Sequence, residues 1–214
     1  MADTEELQSK KPGKRKARAM ETKRKLLESA MSLFKEKGFD AVTVEEIAQR
    51  AGTAKGSFYT YFATKSDIIV EEFWDIDAYY RKYSRNLKRC ATASEKLTSF
   101  TRAQTRFIRD KVGVDMLKIL YANQTSTYGD NKIIIDESRF WFALITDIIA
   151  EGQENGEFRT DLPAEQMARW FNRTMRGNFL DWCISSGENF DLVEEAVSYC
   201  DNFITAALQK NTRS

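Results

Sequence analysis

Apolar residues recur along most of this chain at spacings of three and four, the period of a helix with one face turned inward, and no stretch alternates apolar and polar residues long enough to suggest a strand. Only two prolines, Pro12 and Pro163, interrupt 214 residues. The pattern predicts an all-α chain. A first helix is expected from about Arg18 to Lys37, with Leu27, Met31 and Phe34 on its inward face, flanked by Leu26, Ala30 and Leu33, and Gly38 at its exit. Thr43-Val44-Glu45-Glu46 reads as a capping box, with Val42 and Ile47 placed as a hydrophobic staple, so a short helix starts at Val44 and ends by Gly52. After a turn at Gly52-Thr53, a second short helix runs from Ala54 to Phe62. Thr64-Lys65-Ser66-Asp67 then caps a long helix whose apolar positions Ile69, Phe73, Ile76, Tyr80 and Tyr83 share a face. Further helices are expected from Thr92 to about Lys111, Val114 to Asn123 ahead of Gly129, Lys132 to Asn155, Pro163 to about Ser186, and Phe190 to Gln209.

Two short helices joined by a tight glycine turn and preceded by a support helix have helix-turn-helix spacing. In the second, Phe58 and Phe62 lie four apart and face inward. Lys55, Gly56, Ser57 and Tyr59 then turn the other way. Gly56 permits close approach to a duplex, and Lys55 or Ser57 can hydrogen-bond base edges. Thr43, Thr53, Thr60, Tyr61 and Lys65 complete the candidate DNA-binding set, because hydroxyls, amino groups and helix starts bind phosphate oxygens and fix register.

The block Leu26 to Ile68, with Ala30, Leu33-Phe34, Gly38-Phe39, Thr43-Val44, Ile47-Ala48, Ala51-Gly52, Lys55-Gly56-Ser57-Phe58-Tyr59, Tyr61-Phe62 and Lys65, resembles the DNA-binding domain of the tetracycline-repressor (TetR) family. So many positions agree in register that the match is highly specific. The resemblance implies a homodimeric, all-helical, one-component transcription regulator, usually a repressor released from a double-stranded DNA operator by a small molecule. Thr53 stands where the family usually has Val, and Ala54 where it often has a polar residue. Ala54 offers no side-chain hydrogen bond, which leaves Thr53 as the residue expected to cap the helix. Past Ile68 the likeness is a general pattern, including Glu151-Gly152-Gln153 and Gly156-Glu157-Phe158-Arg159 ahead of Asp161-Leu162-Pro163. Three segments are expected: a flexible basic arm over residues 1–19, a helix-turn-helix domain over 20–66, and a helical ligand-binding and dimerisation domain over 67–214.

Charge adds an independent argument. The formal net charge is only +1, yet residues 1–65 carry 14 Lys and Arg against 9 Asp and Glu, while residues 66–214 carry 19 against 23. Nine basic residues and one acid, Glu21, fall between Lys10 and Lys25. A local basic face releases counterions on meeting phosphates. Histidine is absent, which removes imidazole general bases, Ser-His-Asp and Cys-His pairs and imidazole metal ligands, so neither an enzyme nor a metal or cofactor site is expected. Ala51 to Ser57 superficially resembles a phosphate loop, but it lacks the Gly-Lys-Ser/Thr order and a preceding strand. Cys90, Cys183 and Cys200 match no paired-cysteine spacing and read as reduced thiols. With no apolar leader and no membrane-length apolar run, a reducing cytoplasm is the expected compartment. A protein-interaction module without DNA binding is the competing class, and the intact block from Lys55 to Lys65 argues against it.

Twenty of 26 aromatic residues follow Lys65. The resemblance places a small-molecule cavity among the helices there, and the effector is expected to be largely apolar. Candidate lining residues are Phe73, Trp74, Phe107, Met116, Tyr121, Phe140, Trp141, Phe171 and Phe179, with Arg106, Asn123, Gln124 and Asn178 as polar anchors. The last helix has too many apolar positions for one stripe, so it is expected to bury two faces. With the preceding helix, where Trp170, Thr174, Gly177 and Asp181 follow helical spacing, it would form an intersubunit four-helix bundle.

Overall fold

The computed structural model of the chain describes residues 13–126 and 132–209. Among these residues the structure is helical, with a single isolated bridge between Phe158 and Gln209. The chain divides into two compact units, the first ending at Ile68 and the second beginning at Ile69.

In the first unit, α1 (Lys14–Lys37), α2 (Val44–Arg50) and α3 (Lys55–Tyr59) pack around one core. Helix α1 starts four residues before the expected Arg18, so residues 14–19 of the expected flexible arm are helical. Lys, Arg and Ala favour helix, and the Arg24 pairs with Glu21 and Glu28 support the next turns at 2.8 and 2.6 Å. The remainder of that arm, residues 1–12, lies outside the described residues, as does Gly129. The buried stripe of α1 is Leu26, Ala30, Leu33 and Phe34, while Leu27 and Met31 are only half-buried. The expected face is thus rotated by about one residue. Thr43 and Glu46 form the reciprocal capping box: the Glu46 N–H donates to Thr43 Oγ1 at 3.2 Å, and the Thr43 N–H donates to Glu46 Oε2 at 2.9 Å. Gly52, at φ 66°, makes the turn between α2 and α3, a conformation that a Cβ disfavours. Phe58 and Ile47 are completely buried, each worth about 1.5–3 kcal/mol of transfer free energy.

The second unit holds α4 (Asp67–Ser84) from Ile69 onward, a 3-10 turn (Arg85–Arg89), α5 (Ala93–Phe107), α6 (Val114–Thr125), α7 (Phe140–Glu154), α8 (Ala164–Ile184), α9 (Leu192–Tyr199) and α10 (Thr205–Leu208). Helix α7 packs on α8 and α5 on α9. Single π turns over Ile108–Val112 and Cys200–Ile204 extend α5 and join α9 to α10, so the expected long helices are present but bulged. The Glu157 carboxylate accepts the Ala93 and Ser94 N–H groups at 2.8 and 2.9 Å, capping α5 from a distant loop where its dipole favours an anion. Gly152 lets Phe158 approach: a Cβ there would lie 2.3 Å from the Phe158 ring. Helix α7 begins at Phe140, not Lys132. Residues 132–139 form turns, because the Asp136 side chain accepts the Ser138 N–H at 2.9 Å and the Arg139 side chain is drawn into the core.

Candidate nucleic-acid interface and effector cavity

Helix α3 is anchored by Phe58, whose ring packs 5.4 Å from that of Phe62, both buried. The opposite face is open. Tyr59 is 53% exposed, and a methyl group placed on Gly56 would meet nothing within 4 Å. Lys55 is exposed and ion-paired with Glu45 of α2, and that carboxylate pulls the Lys55 pKa up through its hydrogen bond. Ser57 and Tyr61 are half-buried, and the exposed Thr60 hydroxyl donates to the Gly56 carbonyl at 3.4 Å.

Three predicted positions carry structural duties. The Thr43 hydroxyl is held in the capping box on both its donor and acceptor sides. Thr53 does not cap α3: Ala54 is the N-cap, without a side-chain hydrogen bond, and the Thr53 hydroxyl is directed at the Ala48 carbonyl 3.5 Å away. Its hydroxyl lies on the α2 side of the turn. The Lys65 ammonium donates to the carbonyls of Phe39 and Val42 at 2.6 and 2.7 Å and sits 4.2 Å from the Phe39 ring centroid. It ties the α1–α2 turn to the segment after α3. The sequence reading missed Glu45, which lies ten positions before Lys55 and is brought to it by the turn between α2 and α3. Two further ion pairs brace α1 against α2. Arg50 grips Glu36 at 2.6 and 2.7 Å, and Lys37 meets Glu46 at 2.7 Å; these hydrogen bonds hold both carboxyls down at about 2.

In the second unit, a cavity of about 70 Å³ is lined by residues of α4 to α8. Four predicted residues, Phe73, Tyr121, Trp141 and Phe179, form part of its wall. The other nine do not. Phe107 stacks on Tyr79 at 4.5 Å, Phe140 lies under the Arg81 guanidinium at 4.4 Å, and Trp74 faces the Arg139 guanidinium at 5.3 Å. Phe171 is buried elsewhere in the core, Asn178 donates to Thr174 in its own helix, the Gln124 side chain accepts the Ile134 N–H, and Arg106, Met116 and Asn123 stand off the wall. The polar groups of the wall were not anticipated. Arg139 forks onto Asp77 at 3.1 and 2.9 Å and also donates to the carbonyls of Phe73 and Ile133. Both partners are buried. Their separation by some sixty positions leaves no local signal in the sequence.

A second, more polar cavity of about 300 Å³ shares Trp141, Asn172 and Arg176 with the first. Arg169, Arg173 and Arg176 of α8 line it, spaced four and three apart. Arg169 pairs with Glu137 at 2.7 Å, and partial burial lowers the Arg176 pKa, so a nearby anion would favour its charge. Among the described residues no cluster suited to a metal ion occurs, and no helix is long and apolar enough to cross a membrane.

A three-helix unit with an exposed recognition helix, continued by a helical bundle with an internal cavity, is the architecture of a ligand-responsive DNA-binding regulator. Residues 26–71 match the family described as bacterial regulatory proteins, tetR family, and residues 75–206 match the C-terminal region of YsiA-like proteins. The chain belongs to the TetR family. It is a DNA-binding transcriptional regulator and not an enzyme. It is 27% identical over 150 residues to the HTH-type transcriptional repressor KstR2 of Mycolicibacterium smegmatis, covering 70% of this chain and 73% of that one. To the fatty acid metabolism regulator protein of Bacillus subtilis it is 23% identical over 172 residues, 78% and 86% of the two chains. Its fold matches Thermus thermophilus FadR, a TetR-family repressor crystallised with lauroyl-CoA, at a TM-score of 0.74 and 21% identity, over 89% of this chain and 97% of that one.

Proposed function

We propose that the protein is a homodimeric repressor that grips a pseudo-palindromic operator through α3 and is released by an anionic, long-tailed effector of the acyl-CoA class. The observation that carries the DNA half of this reading is the open face of α3, where Lys55, Gly56 and Tyr59 stand clear of a helix anchored by Phe58. Two such helices about 34 Å apart would read successive major grooves on one side of a duplex. Ser57, Thr60 and Tyr61 lie within the same short segment and are the supporting contacts; Thr43, Thr53 and Lys65 act mainly by shaping it.

Dimerisation is supported by an apolar stripe on α8. Trp170 and Leu180 are each 44% exposed and Ile184 is 74% exposed, with Gly177 between them on the same face. Thr174 and Asp181 border the stripe, and Phe203, 58% exposed, adds an apolar position near the C-terminal end. Large apolar side chains at this spacing are the pattern of a helix that packs against a partner.

The effector reading rests on the pairing of an apolar cavity with an arginine-lined one. An apolar tail would enter among Phe73, Trp141 and Phe179 by widening that cavity, and phosphates suit Arg173 and Arg176, with Arg169 joining them on release from Glu137, since guanidinium groups bind phosphate in a fork. The Thermus FadR complex with lauroyl-CoA supports the same chemistry. An effector that binds better to the arrangement unfit for DNA lowers operator affinity by linkage, and about 1–3 kcal/mol of coupling gives a 5- to 150-fold switch. The test is operator selection from a random duplex pool, followed by anisotropy titration with and without lauroyl-CoA. A two-fold consensus and a loss of affinity within that range are expected. Operator affinity that is indifferent to a bound acyl-CoA would overturn the effector reading, and the absence of any enriched sequence would overturn the operator reading.

A further inference from the structure

The wall of the smaller cavity is mostly aliphatic and aromatic, with Ile76, Ile108, Leu117 and Met175 among its residues. One polar atom on it is out of keeping. The Gln104 side-chain oxygen is buried and has no hydrogen-bond partner among the described residues. A buried acceptor left unmatched is costly, and native structures rarely keep one without a use. Its surroundings narrow what would match it. Gln104 lines this wall beside the buried Tyr80, and Arg139 lies on the same wall with its charge already met by Asp77. A cationic ligand group would be repelled by Arg139. A carboxylate would face the Gln104 oxygen and gain little from Arg139, whose fork is already filled; Arg176, the other arginine of this wall, is shared with the polar cavity and is the head group's partner on the reading above. What remains is a neutral group able to donate.

Within the reading of this cavity as the effector site, on which the inference rests, we infer that the effector carries a hydroxyl on its buried apolar portion, held by the Gln104 amide beside Tyr80. A hydroxyl both donates and accepts, so it meets the amide in either orientation of its oxygen and nitrogen, whereas a ketone can only accept. The cavity therefore selects a hydroxylated chain over an unsubstituted one. The arginines outside give affinity for the head, and Gln104 gives discrimination along the tail.

The test compares lauroyl-CoA, its hydroxylauroyl positional isomers and the matching keto isomers by calorimetric titration of the full chain. At least one hydroxyl isomer is expected to bind about tenfold more tightly than lauroyl-CoA, an increment of one well-placed hydrogen bond. Gln104→Leu should erase that preference, and Tyr80→Phe should weaken it. A thermal melt of each variant confirms that it folds. The inference is overturned if no hydroxyl isomer is preferred, if the keto isomer is preferred over it, or if the preference survives Gln104→Leu. A head-free pair, 1-hexanol and hexane followed by NMR, separates the two readings. If no CoA thioester binds but the alcohol is preferred in a Gln104-dependent way, the acyl-CoA reading fails and this one stands; if that preference is also missing, this one fails too.

Discussion

Replacing Arg139 by Met removes one partner of a buried ion pair and leaves the other in place. The Asp77 side chain is 12% exposed and that of Arg139 6%, so water cannot replace the lost guanidinium without opening the wall between α4 and α7. The variant forfeits two hydrogen bonds to Asp77, at 3.1 and 2.9 Å, and those to the Ile133 and Phe73 carbonyls at 3.2 and 3.0 Å. Breaking such a pair from one side costs about 3–5 kcal/mol, because an uncompensated charge stays buried. At about 2–4 °C per kcal/mol for a chain of this size, the melting temperature should fall by roughly 6–20 °C. The double variant Asp77→Leu with Arg139→Met replaces the pair by apolar volume and should recover most of the loss, since a well-packed apolar pair is often as stable as the ionic one. Chemical denaturation at one fixed protein concentration is the assay, because dimerisation would otherwise shift the midpoint. A single variant within about 1 kcal/mol of the parent, or a double variant as unstable as the sum of its parts, would refute the account of this pair as a mutually dependent unit.

Tyr59→Ala and Lys55→Ala should each weaken binding to the selected operator by about 1–3 kcal/mol with an unchanged melting temperature; anisotropy at physiological salt checks this, and full affinity removes that residue from the interface. Gly152→Ala places a methyl 2.3 Å from the Phe158 ring and 2.9 Å from the Ala93 Cβ, so a loss of about 1–3 kcal/mol is expected by calorimetry. Ile184→Asp should convert the protein to a monomer in sedimentation at micromolar concentration, and an unchanged dimer would exclude the α8 stripe from the interface. The carboxyls of Glu36 and Glu46 are held near 2, below the ordinary 4.5, so their contribution is full above about pH 4.5 and disappears as pH falls toward 2. Glu46→Gln keeps a capping-box side chain but removes one titrating group, and the acid-induced loss of stability in the first unit should become shallower; an unchanged slope would show that this carboxylate is not linked to folding.

The elements that could be read from the sequence are those whose determinants are local. Thr43 and Glu46 sit three apart and make a capping box whatever the rest of the chain does. Phe58 and Phe62 sit four apart and fall on one side of a turn, which fixed the inward face of the recognition segment. Where the outcome depended on distant partners, the local pattern misled. Residues 132–139 have helical periodicity, but Arg139 gains more from Asp77, 62 positions earlier, than from continuing a helix toward the N-terminus. The flexible arm was inferred from its charge and from Pro12 and Gly13, and its last third, residues 14–19, is helical because basic residues are good helix formers when neighbouring acids such as Glu21 and Glu28 intersperse them.

The candidate site divides along the same line. On α3 the residues that face outward follow from one anchored aromatic, so Lys55, Gly56 and Tyr59 were legible, while the duties of Thr53 and Lys65 depended on the Ala48, Phe39 and Val42 carbonyls brought up by other segments. In the cavity, aromatic content picked out Phe73, Tyr121, Trp141 and Phe179 but could not distinguish them from Phe107 or Phe171, which have the same chemistry and serve packing. Polar residues carry the sharper information there, because an apolar wall is tolerant of any chain that fills it whereas each buried polar atom demands a particular complement. Gln104 and Tyr80 come from two different helices and Arg139 from the turn before α7, and none is conspicuous in the sequence. On the proposed reading, effector specificity rests on these few dispersed polar side chains, and the measurements that bear on it most directly are those that change one of them while leaving the apolar lining intact.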